Sequence, residues 1–103
     1  MPAWLAVASL DDFAASDAIA VDVGGREVAI YLVDGRVYAT ANRCTHGDAS
    51  LCDGFLEGHE IECPFHQGRF DVRSGTATGV PAEVALATWP ARLTDGRVEL
   101  LFG

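Results

Sequence analysis

The chain has 103 residues, half of them hydrophobic, which is enough for one domain with its own core and too short for two. Its formal net charge is -8, and its seven basic residues are all arginine. That balance argues against a phosphate-backbone partner, which needs a basic face, and suits contact with positively charged protein surfaces.

In chain order, Ser9 with Asp12 three residues on resembles a capping box, so one short helix is expected over Leu10–Ala15, anchored by Phe13. Ala18–Val23 and Arg26–Val33 flank Gly24-Gly25, a strong two-residue hairpin signal. Within the second segment, Val28 to Val33 is almost continuously apolar, which predicts a central strand covered on both faces. Asp34-Gly35 joins that strand to Val37–Ala41, and Glu57-Gly58 should turn Phe55–Glu57 back onto His59–Glu62. Asp95-Gly96 joins Ala91–Thr94 to Arg97–Phe102. No repeat, low-complexity tract or linker interrupts the pattern. The expected fold is all-β, an antiparallel sandwich or barrel over residues 1–103 with an insertion at about 43–71 and at most one short helix. No apolar run approaches the roughly 18 residues of a membrane span. The opening Met-Pro-Ala-Trp-Leu has neither a basic region nor a twin arginine. A complete, cytoplasmic protein is expected, with no membrane and no nucleic-acid partner.

The insertion carries the chemistry. Cys44-Thr-His46 and Cys63-Pro-Phe-His66 supply two thiols and two imidazoles in mixed order, 16 residues apart. An all-cysteine ferredoxin would offer four sulfurs, and a structural zinc finger usually pairs its cysteines together and its histidines together. Two Cys/His hairpins facing each other fit one 2Fe–2S cluster of the Rieske arrangement, with two histidines on one iron. With neutral histidines the oxidised cluster is formally uncharged, so reduction takes it from 0 to -1. An all-thiolate cluster must go from -2 to -3, which is harder in a low dielectric. The electron is expected on the iron held by His46 and His66, with Cys44 and Cys63 deeper. Pro64 stiffens the second loop, and backbone N–H groups near Gly47, Gln67 and Gly68 are candidate hydrogen-bond donors to sulfur. Gly47, Gly54, Gly58 and Gly68 fall in the insertion, where glycine is expected if backbone must approach a cluster closely or adopt positive φ.

A zinc-stapled module is the alternative, since zinc accepts the same donors, although Cys-x-His spacing is unusual for it. An oxygenase in its own right needs an iron site of two His and one carboxylate. The chain has three His, two of them committed, so it is not expected to be an enzyme. Three cysteines cannot all pair, which leaves Cys52 as a small hydrophobe and suits a reducing compartment. His59 is expected on the surface, and Trp4 and Trp89 as packing residues. Asp48, Asp53, Glu57, Glu60, Glu62 and Asp71, with Arg43, Arg69 and Arg73, form either a solvated rim or an acidic docking patch that makes association salt-sensitive.

The stretch CTHGDASLCDGFLEGHEIECPFHQGRFDVRSGTATGVPA, Cys44 to Ala82, resembles the Rieske-type ferredoxins of bacterial aromatic ring-hydroxylating dioxygenase systems, those of naphthalene and salicylate hydroxylation above all. The resemblance implies a small monomeric carrier in aromatic hydrocarbon catabolism. Such a carrier takes single electrons from an NAD(P)H-dependent flavoprotein reductase and gives them to a terminal oxygenase. It places the cluster ligands at Cys44, His46, Cys63 and His66, and a shielding third loop at Thr78–Ala82, with Pro81. Where the respiratory-chain branch carries an extra bridging cysteine pair, this chain has Ala49 and Phe65. Where that branch places hydroxyl donors, it has Gly68 and Phe70. Fewer hydrogen bonds to sulfur imply a potential at the low end of the range.

Overall fold

The computed structural model describes residues 3–45, 49–65, 67–80, 82 and 84–102. Its strands are β1 (Ala3–Ser9), β2 (Ala18–Val23), β3 (Arg26–Val33), β4 (Arg36–Ala41), β5 (Phe55–Glu57) and β6 (Glu60–Glu62). They continue with β7 (Arg69–Asp71), β8 (Ala77–Gly79), β9 (Thr88–Trp89), β10 (Ala91–Thr94) and β11 (Arg97–Phe102). Three antiparallel sheets result, ordered β1-β11-β10, β2-β3-β4-β9 and β5-β6-β7-β8. The all-β expectation holds. The expected helix is instead a single 3-10 turn, Leu10–Phe13, with a second such turn at Leu51–Asp53. Ser9 N–H does donate to Asp12 Oδ2 at 2.9 Å, but only Phe13 of the turn is buried, too little to hold further helical turns.

The dipeptide turns fall where the sequence puts them. Val23 pairs with Arg26 across Gly24-Gly25, whose φ values of +60° and +85° are those that a two-residue turn matching the strand twist requires. Asp34 and Asp95 each adopt φ of +52° ahead of a glycine, and close the β3–β4 and β10–β11 hairpins. The β5–β6 turn is shifted by one residue: Gly58 and His59 form it, and β6 begins at Glu60.

Side chains of β3 alternate between two cores, because successive residues of a strand point to opposite faces. Val28 and Ile30 join Phe13, Val37, Ala39, Val98 and Leu100 on one side. Ala29, Tyr31 and Val33 join Leu51, Ile61, Phe70, Val72, Leu86 and both Cys44 and Cys63 on the other. This is why the run from Val28 to Val33 reads as continuously apolar. Each large aliphatic side chain so buried contributes about 1.5–3 kcal/mol. Thr40 donates to the Ala41 carbonyl at 2.9 Å, so the buried Tyr31 hydroxyl donates to Thr40 Oγ1, also at 2.9 Å. Burial pushes the Tyr31 hydroxyl far above the usual phenol range, with the Thr40 bond opposing it, so it stays protonated.

Candidate metal centre

Two loops, each headed by a cysteine, are built in the same way. Leaving β4, the chain passes Arg43, which bridges Ser50, and Cys44 N–H donates to the Ala49 carbonyl at 2.9 Å. Between β6 and β7, where Glu62 pairs with Arg69, Cys63 N–H donates to the Gly68 carbonyl at 2.7 Å. In both, a cysteine amide closes onto the carbonyl five residues ahead. Cys44 and Cys63 are 3% and 1% exposed and belong to one hydrophobic cluster. His46 and His66 lie outside the described residues, as do Gly47, Asp48 and Pro81. Among the described residues no group of three or more His, Cys, Asp or Glu forms a metal site.

Close backbone approach brings the loops together. Gly54, just past the first loop, has no room for a side chain: a Cβ there would lie 2.0 Å from the Glu62 carbonyl oxygen, next to Cys63. At Gly68, closing the second loop, a Cβ would meet that of Ala82 at 2.9 Å. Ala82, the end of the expected third loop, is 6% exposed and packs in the same cluster as the cysteines. Thr45 Oγ1 donates to the Val84 carbonyl at 2.7 Å and ties the first loop to this third segment across 39 residues. Replacing Thr45 by valine keeps the shape and removes the donor, and should cost about 1 kcal/mol in denaturant titrations of the intact protein.

Several expectations are refined here. Gln67, at φ +61°, donates its N–H to the Cys63 carbonyl at 3.2 Å within the loop. Ala49 is buried and Phe65 is 64% exposed, and neither side chain can make a disulfide bridge. His59 lies in the β5–β6 turn, half-buried, its ring edge-on to Tyr38 at 5.6 Å. Cys52 is half-buried against the core, and burial, followed by the nearby Asp53 and Glu27 charges, pushes its thiol up. Trp4 and Trp89 sit in β1 and β9, with the guanidiniums of Arg92 and Arg26 at 4.0 Å and 5.6 Å from their rings.

The rim is an ion-pair lattice. Arg69 reaches Glu62 at 2.9 Å, Glu57 at 3.3 Å and Glu60 at 3.4 Å. Arg73 holds Asp71 at 2.8 Å, and that hydrogen bond lowers the Asp71 carboxyl below its ordinary range against the opposing effect of burial. These pairs are substantially exposed, so each contributes modestly to stability. Near the loops Val80 and Val84 are exposed at 84% and 64%. Sequence reasoning missed the Thr45–Val84 tie and the Gly54–Glu62 contact, since both join segments without a shared motif.

Residues 3–90 match the Rieske [2Fe-2S] domain family. The chain is similar, at 50% identity over 97 residues, to the ferredoxin component of the naphthalene 1,2-dioxygenase/salicylate 5-hydroxylase systems of Ralstonia sp. That match covers 94% of this chain and 93% of the relative. Among solved structures, Sphingomonas yanoikuyae B1 ferredoxin superposes with a TM-score of 0.87 at 36% identity, covering 98% of this chain and 100% of that one. The ferredoxin fold also recurs in a complex of reduced oxygenase and oxidized ferredoxin in carbazole 1,9a-dioxygenase, at TM-score 0.84 and 39% identity, covering 94% of this chain and 91% of the other. Two like-built loops headed by buried cysteines, on a three-sheet scaffold matched from residue 3 to 90, make the chain a member of the Rieske [2Fe-2S] domain family.

Proposed function

We propose that this chain is a soluble, cytoplasmic one-electron carrier of an aromatic ring-hydroxylating dioxygenase system, and not itself an oxygenase. It takes electrons from an NAD(P)H-dependent flavoprotein reductase and delivers them to a terminal oxygenase. Residues 1–103 act as one domain and as a monomer, with the cluster-binding part at about 43–71. Cys44, His46, Cys63 and His66 hold one 2Fe–2S cluster, which when bound supplies a centre that accepts and returns one electron near about -150 to +300 mV.

The observation that carries this reading is the pair of buried cysteines heading loops closed by the same amide-to-carbonyl bond. The donor set fits the group: two thiols and two imidazoles are the ligands that such a cluster takes, and both thiols lie inside the core. Cys44 and Cys63 anchor, while Gly54 and Gly68 allow the loops and third segment to close and exclude water. The exposed apolar side chains Val80 and Val84 flank this region and offer a surface that a partner can cover.

Purified anaerobically, the protein should be red-brown, contain acid-labile sulfide, and give a rhombic EPR signal on reduction. Potentiometry should place it below zero, at the low end of the range cited. Mixed with reductase and oxygenase components of a naphthalene-type system, it should support NAD(P)H-driven product formation. A colourless zinc protein, free of sulfide, would remove the carrier reading and leave the zinc-stapled module.

A further inference from the structure

Asn42 follows β4 directly and stands two residues before Cys44, yet its side chain is turned inward and only 1% exposed. It is one of the two buried polar residues of the described core, with Thr40. Four hydrogen bonds converge on it. Its backbone N–H donates to the Glu27 carbonyl at 3.2 Å, and its own carbonyl accepts from Leu51 N–H at 2.7 Å. Its side-chain Nδ2 donates to Glu27 Oε1 at 2.5 Å, and Oδ1 accepts from Cys52 N–H at 3.0 Å. Glu27 belongs to β3, while Leu51 and Cys52 lie on the far side of the loop that Cys44 opens. One residue therefore clasps both stems of that loop and fastens them to the central strand.

We propose that Asn42, with Glu27 as its charged partner, is a positioning residue that sets where Cys44 stands relative to Cys63. This rests on the ligand assignment above. The residue type is dictated by the bonds. The position needs a donor toward a carboxylate and an acceptor toward an amide, 15 and 10 residues away in sequence, and a carboxamide supplies both. An aspartate offers acceptors alone and faces the Glu27 carboxylate with like charge. An aliphatic residue leaves the Cys52 amide without its acceptor in the interior. A bond to a charged group is stronger than a neutral one, so the Glu27 arm holds the side chain while the Cys52 arm holds the loop.

The arrangement can be tested by swapping donor and acceptor. In the iron-loaded protein, Asn42→Asp should shift or broaden the reduced EPR g-values and release iron to a chelator about tenfold faster, as for loss of an outer-shell partner. Adding Glu27→Gln to Asn42→Asp puts a donor opposite the carboxylate. The double variant should recover the wild-type g-values and come within about twofold of the wild-type release rate, against the same outer-shell scale. A single variant with unchanged spectrum and release rate, or a double variant that is not rescued, overturns the proposal. Should Asn42→Asp take up no iron, Glu27→Ala decides, because Glu27 is exposed and its loss spares the core. A shifted signal with faster release supports the clasp, and an unchanged one overturns it. Wild-type protein without iron and sulfide defeats the carrier reading itself. A loaded wild type with indifferent variants defeats only the role of Asn42.

Discussion

Cys63→Ser protein is expected to carry almost no iron or sulfide, a loss beyond the roughly 10–100-fold that removing an outer-shell partner of a metal ligand brings. Cys63 is 1% exposed, its amide is fixed to Gly68 at 2.7 Å, and its neighbours are apolar core residues. A serine hydroxyl there is a poorer ligand for an iron–sulfur cluster than a thiolate. Cys44→Ser should behave alike. Cys52→Ser is the contrast: that thiol lies beside Asp53, 3.9 Å from its Oδ1, with its backbone held by Asn42, and it should retain full iron content. Iron and sulfide per chain, measured on the three variants side by side, check the assignment. Full iron in Cys63→Ser with loss in Cys52→Ser would reverse it. The β2-β3-β4-β9 and β1-β11-β10 sheets should survive either change, because the core around Ile30, Val98 and Leu100 contains no cysteine among the described residues.

Gly54→Ala should be strongly destabilising. The added methyl would sit 2.0 Å from the Glu62 carbonyl oxygen and 3.2 Å from that of Leu51, both backbone atoms, so no rotamer change relieves the overlap. Forcing the two stems apart should cost about 3 kcal/mol, or on the order of 10–20 °C in melting temperature for a chain of this size. Gly24→Ala provides the control. Its φ is +60° but nothing lies within 4 Å of the new methyl, so only the backbone conformation is penalised, by about 1 kcal/mol. Calorimetry or denaturant titration of the two variants separates crowding from conformation, and equal losses would refute the crowding argument.

Those two glycines also mark where sequence reasoning succeeds and where it stops. Gly24-Gly25, Asp34-Gly35 and Asp95-Gly96 are legible because a two-residue turn restricts which residues it accepts, and strand register follows from them. The double-sided burial of β3 is legible because it leaves no polar alternation. The paired Cys/His segments name the chemistry before any fold is known. By contrast, β1 has no legible signal: Ala-Trp-Leu-Ala-Val-Ala-Ser lacks a clear period, and its register against β11 shifts between Ala6 and Ala8. β7, β8 and β9 are two or three residues long and carry no periodic signal of their own. The sheet that flanks the second loop therefore runs on to Gly79, past the stretch in which the ligand motif lies. Contacts such as Thr45–Val84 and Asn42–Glu27 depend on tertiary closure, and no local pattern announces them.

Because β3 divides its side chains between two interiors, adjacent positions on it answer to different halves of the molecule. Ile30 faces the terminal strands, and Tyr31 faces the cysteines. The strand is a party wall: one room can be refurnished during divergence while the furniture of the other stays put, provided the wall itself does not move. A scaffold partitioned in this way can trade surface and stability on one side without disturbing the side that holds the two cysteines.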